Sequence, residues 1–267
     1  MILEEQKFYS FENFISQKEM LSHFSCLSLC FDYFFENEEF VELGQHLKKC
    51  RNAKKLTIDL SQKPFSQDGY QSLQQGLSYC INLENLVLFL NCRQIQILNA
   101  CCIFESFESI KNLTNLTLNL SRTQFNGECI AILSKSLAIC LSLVSLNLDL
   151  SQNYIGDSVS QIGNSLIKCT QLEYARIWLD NNSIGDDGIS NFLEKYTKIK
   201  ALLLYLTNNR IQYLGASSLS KNISQYKRLT VLVVNLYKNQ IGKFGETEIK
   251  RRAYKLPRLV NSTLQHY

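Results

Sequence analysis

Three apolar residues at alternate positions, then a polar turn and a further apolar residue, recur along the chain at a nearly constant interval. The phrase reads LTIDLSQKPF from Leu56, LVLFLNCRQI from Leu86, LTLNLSRTQF from Leu116, LNLDLSQNYI from Leu146, ARIWLDNNSI from Ala175, LLLYLTNNRI from Leu202 and LVVNLYKNQI from Leu232, with a worn copy, LSLCFDYFFE, from Leu27. Subtracting successive starts gives spacings of 29, 30, 30, 30, 29, 27 and 30 residues. A period near thirty marks a stacked repeat array, each copy being one supersecondary unit that cannot bury its own apolar face.

Within a copy, the residues at the start and two and four positions later are apolar, so period two places them on one face of a strand. Nine residues after the start an apolar anchor leaves the strand: Phe65, Ile95, Phe125, Ile155, Ile184, Ile211 and Ile241. The second half of each copy changes to helical spacing. Leu43, Leu73, Ile103, Leu133, Ile162, Ile189 and Leu219 are followed four residues later by Leu47, Leu77, Phe107, Leu137, Leu166, Leu193 and Ile223, one apolar stripe per helix. Each copy therefore predicts strand, turn, helix, loop. Stacking pairs the strands in parallel with the helices alongside. The predicted fold is an α/β solenoid, a right-handed βα superhelix bent into a horseshoe. About eight parallel strands line its concave face over roughly 38 Å, with helices on the convex face.

Asn153, Asn182, Asn209 and Asn239 stand seven residues into their copies, where an Asn side chain can bond backbone groups that no strand ladder reaches. Earlier copies carry Lys63, Arg93 and Thr123 there, which predicts a less regular turn and more mobility in the N-terminal half.

Cysteine usage fits the same frame. Cys50, Cys80, Cys140 and Cys169 each lie six residues before a strand start, where other copies have Ile110, Tyr196, Tyr226 and Ala253. A position shared by Cys, Ile, Tyr and Ala is a packing position. The beginning MILEEQKFYSFENF is acidic and aromatic rather than basic and then apolar, so export is not expected and the ten cysteines are read as thiols. The Asn-x-Ser/Thr triplets at Asn112, Asn115, Asn119, Asn181, Asn222 and Asn261 then read as Asn- and Ser-rich composition. No apolar run reaches the roughly 18 residues of a spanning helix, and no membrane partner is expected.

The pattern LVSLNLDLSQNYIGDSVSQIGNSLIKCTQL from Leu143 resembles the leucine-rich repeat of the ribonuclease-inhibitor type, and its LNLS and NNQIG-like wording is similar to repeat proteins abundant in ciliates. The resemblance covers residues 24–260. It implies a non-enzymatic protein-binding horseshoe, cytoplasmic, often a subunit of a larger assembly such as the ciliary axoneme or cytoskeleton. The copy from Leu86 departs from the pattern by lacking the Asn and the Gly, and EIKRRAYKLPRL breaks the helical stripe at Glu246 and Lys250. The domain reading is an N-terminal helical cap over 1–23, the array over 24–245, and a C-terminal cap and basic tail over 246–267.

Little in the chain points to catalysis. Its three histidines, His23, His46 and His266, form no recurrent metal spacing, and Cys101 and Cys102 are adjacent. Ile241-Gly242-Lys243 lacks the earlier glycine of a phosphate loop, and kinase signatures are absent. No enzyme, cofactor or metal is expected.

The outward strand positions carry the functional signal. In the first five copies they are mainly small and polar. In the last three they gather Arg176, Trp178, Leu203, Tyr205, Val233, Asn235 and Tyr237, with Tyr174 and Asp180 at the margin. Trp, Tyr and Arg dominate interface energies, so this is the predicted partner-binding surface. The competing reading has residues 256–267, with Leu264 and Tyr267, folding over it.

Charge is lopsided. Residues 1–50 hold nine acids and four bases, −5, whereas residues 190–267 hold fourteen Lys or Arg and three Glu, +11. Lys243, Lys250, Arg251, Arg252, Lys255 and Arg258 thus form a candidate contact for an acidic partner such as a tubulin tail. Nucleic acid is disfavoured because aromatics are not interleaved with these bases. The functional expectation is a structural or adaptor scaffold in a multi-subunit assembly; the alternative is a reversible regulatory adaptor or inhibitor that grips one enzyme through the concave face.

Overall fold

The computed structural model describes residues 5–31, 37–63, 66–92, 101–190, 192, 194 and 198–265. The expectations placed on Phe65, Arg93, Ile95, Leu193, Tyr196, His266 and Tyr267 lie outside them. The chain divides into two compact units, Met1–Thr123 and Gln124–Tyr267.

In the first unit, β1 (Gln6–Phe8), β2 (Cys26–Cys30), β3 (Lys55–Asp59), β4 (Asn85–Phe89) and β5 (Asn115–Asn119) pair in chain order, all parallel. Helices α1 (Phe11–Ser16), α2 (Asn37–Leu47) and α3 (Gln67–Ser78) and a 3-10 helix at Cys101–Glu108 alternate with them. Register is kept copy to copy, Leu56 opposite Leu86 and Leu86 opposite Leu116. Equivalent positions therefore stack into columns, and the apolar columns are buried throughout, as at Leu56, Ile58 and Leu60. The N-terminal segment adds a three-residue strand to the sheet as well as a helix. Its Phe11 and Phe14 are buried, with Phe14 edge-on to Phe8.

The second unit repeats the scheme. Its elements are α4 (Gly127–Leu137), β6 (Ser145–Asp149), α5 (Ser160–Leu166), β7 (Tyr174–Trp178), α6 (Asp186–Ser190), β8 (Ala201–Tyr205), α7 (Tyr213–Ile223), β9 (Val231–Asn235), α8 (Gly242–Ala253) and β10 (Asn261–Gln265). Strands β6 to β10 are parallel and consecutive, with Leu146, Ala175, Leu202 and Leu232 in one column. Among the described residues the strands number ten, two more than the apolar phrase counts, because β1 (QKF) and β10 (NSTLQ) pair through backbone without a leucine pattern.

The turns follow one rule. The residue six positions after the strand start has a left-handed backbone in six copies, at Gln62, Arg122, Gln152, Asn181, Asn208 and Lys238, a conformation that costs an L-residue about 1–2 kcal/mol. The next position repays it where Asn stands there. Asn209 Nδ2 donates to the carbonyls of Leu179 and Leu206, each at 2.9 Å, while its Oδ1 accepts from the Asn182 and Ile184 N–H groups. Asn239 does the same for Leu206 and Ile211. In the first unit the Thr123 hydroxyl at this position donates back to the Leu120 carbonyl at 2.7 Å.

The thiol column is buried as packing. Cys50, Cys80, Cys140 and Cys169 are inside, as are Ile110, Tyr226 and Ala253 at the same position. Cys80 and Cys169 donate S–H to carbonyls of the preceding copy, Leu47 at 3.6 Å and Leu137 at 3.4 Å.

Candidate functional site

The outer face of the second unit's sheet consists of rows set by the strand register. Trp178 lies opposite Asp149 on one side and Tyr205 on the other, and Tyr205 lies opposite Asn235. The row below is Asn147, Arg176, Leu203 and Val233, and the row beyond it is Ser145, Tyr174, Ala201 and Val231. Because the two rings rise from paired positions on neighbouring strands, they meet face to face, 5.6 Å between centroids at 10°, an aromatic contact worth about 1 kcal/mol beyond area burial. The Arg176 guanidinium stands 5.6 Å from the Trp178 ring, a cation–π contact. Tyr174, Arg176 and Tyr237 are exposed, while Trp178, Leu203, Tyr205, Val233 and Asn235 are half-buried.

Two of the predicted residues are also structural. Asp180 Oδ1 accepts the Thr207 N–H at 2.6 Å and so fixes the exit of β8. Burial pushes its carboxyl above the usual aspartate range, the Thr207 hydrogen bonds oppose this, and the Asp149 charge adds to the rise. Asn235 accepts the Tyr237 N–H at 3.0 Å, which sets where that phenol leaves the sheet. Sequence reasoning missed the lower rim, where Lys200 and Glu173 pair at 2.7 Å. Their equal distance before successive strands was the available signal. A shallow hollow of about 310 Å³ lies beside them, lined by Ser145, Asn147, Tyr174, Arg176, Ala201 and Leu203.

The tail does not cross this face between 261 and 265. It runs beside β9 as β10, with Thr263 opposite Val233 and Gln265 opposite Asn235. Over these residues the tail extends the sheet by one strand. The basic set sits elsewhere, in the helix layer: Lys243, Lys250, Arg251 and Arg252 on α8, Lys255 and Arg258 after it. Glu248 clamps Arg251 and Arg252 at 2.9 and 2.6 Å, and those guanidinium groups hold its carboxyl below the usual range.

With the geometry in hand, comparison with known proteins is informative for fold. No family model and no curated relative matches the chain. The crystal structure of internalin C2 from Listeria monocytogenes is similar over 93% of this chain and 84% of its own, at 18% identity and a TM-score of 0.55. The fold is a leucine-rich repeat solenoid. An internalin F structure from the same species, at 14% identity over 91% of this chain and 81% of its own, and leiomodin-1 actin-binding site 2, at 16% over 61% and 76%, both have TM-scores of 0.36.

The solenoid's chemistry is that of packing. Among the described residues no three His, Cys, Asp or Glu side chains are placed to hold a metal, and no helix is long and apolar enough to cross a membrane. Burial pushes the Cys50 thiol up to about 12 and Cys169 to about 11, and it raises Cys80 further. Such thiols stay protonated and unreactive near neutrality. In a native thiol titration with a chromogenic disulfide at pH 8, only the half-buried Cys30 is expected to react promptly; Cys102, equally accessible but raised to about 11 by burial and the nearby Glu105 charge, reacts slowly, and the other eight appear on denaturation. Prompt reaction of the column cysteines would contradict their placement.

Proposed function

We propose that this chain is a non-catalytic protein-binding solenoid whose contact surface is the outer sheet face of the second unit, centred on Trp178 and Tyr205. The observation that carries the reading is the Trp178–Tyr205 stack with Arg176 against it, left half-exposed on a rigid sheet. Tryptophan, tyrosine and arginine are the residues that most often hold an interface together. Rings already stacked lose little rotamer freedom on binding, so less of the contact energy is spent on ordering them. Around it stand Asn147, Thr207 and Thr263, small or polar, with Leu203 and Val233 in the row below, which suits the water-excluding surround of such a centre.

The finer reading is a structural subunit of a larger cytoplasmic assembly, with the ciliary axoneme or cytoskeleton as its setting. It rests on the ribonuclease-inhibitor-type and ciliate-like wording of the repeats. A stable stoichiometric complex recovered from extract supports the scaffold, and a largely free monomer supports the reversible adaptor or inhibitor.

Trp178→Ala is expected to leave the fold intact while costing roughly 2 kcal/mol or more of partner affinity, about thirtyfold. The measurement is affinity purification with wild type and variant in parallel, followed by titration of the co-purifying protein. An unchanged set of co-purifying chains at unchanged affinity would remove this face from the assignment.

A further inference from the structure

The helix α8 has two faces of opposite character. Gly245, Ile249 and Ala253, four residues apart, are buried. Opposite them, Phe244, Thr247, Arg251 and Tyr254, spaced three, four and three residues, form one stripe that points to solvent. Phe244 is 83% exposed and Tyr254 74%. On the neighbouring α7, Leu214 holds the same register as Phe244, twelve residues after its strand start, and is 67% exposed. The corresponding residues of the other copies are Glu39, Asp68, Glu128, Ser158 and Asp187, with Leu98 in the copy from Leu86 the one apolar exception. The last two copies therefore carry large apolar side chains in succession where five of the other six have a solvating one.

These side chains are set among bases. Between 243 and 258 six Lys or Arg face Glu246 and Glu248, a balance of +4. Glu248 neutralises part of the Arg251 and Arg252 charge, whereas Lys243, Lys250, Lys255 and Arg258 form no ion pair among the described residues and extend along both flanks of the stripe. Here exposed rings stand proud of a basic helix. They match a medium that deforms around them. A helix lying in the plane of a bilayer interface buries an apolar stripe by a few ångströms while flanking cations meet anionic headgroups. Phe244 and Tyr254 are about 15 Å apart along the helix axis, so both can enter one interface with α8 parallel to it.

We propose that the helix layer at α7–α8 is a peripheral docking surface for an anionic lipid membrane, with Phe244, Tyr254 and Leu214 inserting and Lys243, Lys250, Lys255 and Arg258 supplying the charge attraction. Such a surface needs no spanning helix, since its apolar residues are distributed over two helices and are separated by charges. This surface is independent of the Trp178 face, so the failure of one assignment leaves the other standing.

The test is flotation of the full chain with vesicles of phosphatidylcholine alone or containing 30 mol% phosphatidylserine, at low and at 0.5 M salt. The expected result is binding to the phosphatidylserine vesicles only, reduced at least about tenfold by Lys250→Glu with Lys255→Glu. A similar loss is expected from Phe244→Ser with Tyr254→Ser, which leaves charge unchanged. The far-UV circular dichroism of both variants should match wild type, since each altered side chain lies at the surface. No flotation at low salt would overturn the proposal. Flotation indifferent to Phe244→Ser/Tyr254→Ser would overturn the inserting role. Binding to a polyglutamate peptide without flotation would assign the bases to an acidic protein surface instead.

Discussion

Replacing Gly44 by alanine is expected to destabilise the first unit by about 3 kcal/mol, although alanine is the better helix former by about 1 kcal/mol. Helices α2 and α3 approach so closely that a Cβ on Gly44 would stand 2.2 Å from the backbone carbon and oxygen of Ser72. From the other side, a Cβ on Gly76 would stand 2.4 Å from the Gly44 carbonyl oxygen and 2.8 Å from the Leu47 Cβ. Backbone cannot swing away as a flexible side chain can, so the helices must separate. Separation also stretches the 2.6 Å bond from the Ser72 hydroxyl to the Val41 carbonyl. Gly127→Ala is the matched control, because a Cβ there meets nothing nearer than the Ser158 hydroxyl at 3.4 Å. In urea denaturation followed by circular dichroism, Gly44→Ala should lower the midpoint of the first unit markedly. Gly127→Ala should leave stability within about 0.5 kcal/mol. Equal, small effects from the two alanines would mean that α2 and α3 are not in glycine-mediated contact.

That contact shows where the sequence stops being readable. The columns Leu56–Leu86–Leu116 and Leu146–Ala175–Leu202–Leu232 were legible, because a constant period with no register shift converts equal sequence offset into spatial adjacency. The same arithmetic places Trp178 beside Tyr205, each three residues after its strand start, so the candidate face could be drawn before any coordinates. It also identifies the thiol column as packing, since the position tolerates Ile and Ala. What period cannot supply is distance and orientation. Nothing distinguishes Gly44 and Gly76, which let two helices touch, from Gly127, which does not. The strands β1 and β10 were invisible because their pairing uses backbone that any sequence offers. The left-handed turn position was missed because Gln, Arg and Lys occupy it in four of the six copies, and only Asn181 and Asn208 are of a type that announces the conformation. Asp180 was read as a rim residue, yet its carboxylate is committed to the Thr207 N–H, a role visible only when the next copy is in place.

The asparagine column allows the sharpest distinction within one set of look-alike residues. Asn209→Ala is expected to cost about 4 kcal/mol, since it removes the donor to two buried carbonyls, Leu179 and Leu206, and the acceptor for two N–H groups, Asn182 and Ile184. A buried polar group stripped of its partner costs about 1–3 kcal/mol, and the alanine cannot be replaced at the site by a group that satisfies all four. Asn182 looks equivalent in sequence but is not equivalent in bonding. Its Nδ2 donates to the Leu150 and Asp180 carbonyls at 2.9 and 3.2 Å, while its fully buried Oδ1 has no hydrogen-bond partner among the described residues. Removing that side chain loses two donor bonds and also relieves an unsatisfied acceptor, so Asn182→Ala should cost about half as much. Trp178 is the only tryptophan and ends the strand that leads into the Asn182 turn, stacked on Tyr205 of the strand that leads into the Asn209 turn. Its fluorescence therefore reports unfolding of this unit directly, without a reporter mutation. Denaturant titration of the two alanines side by side should rank Asn209 above Asn182. The reverse order would mean that the column's stability comes from the strand ladders alone, with the asparagine amides as passengers in the turn.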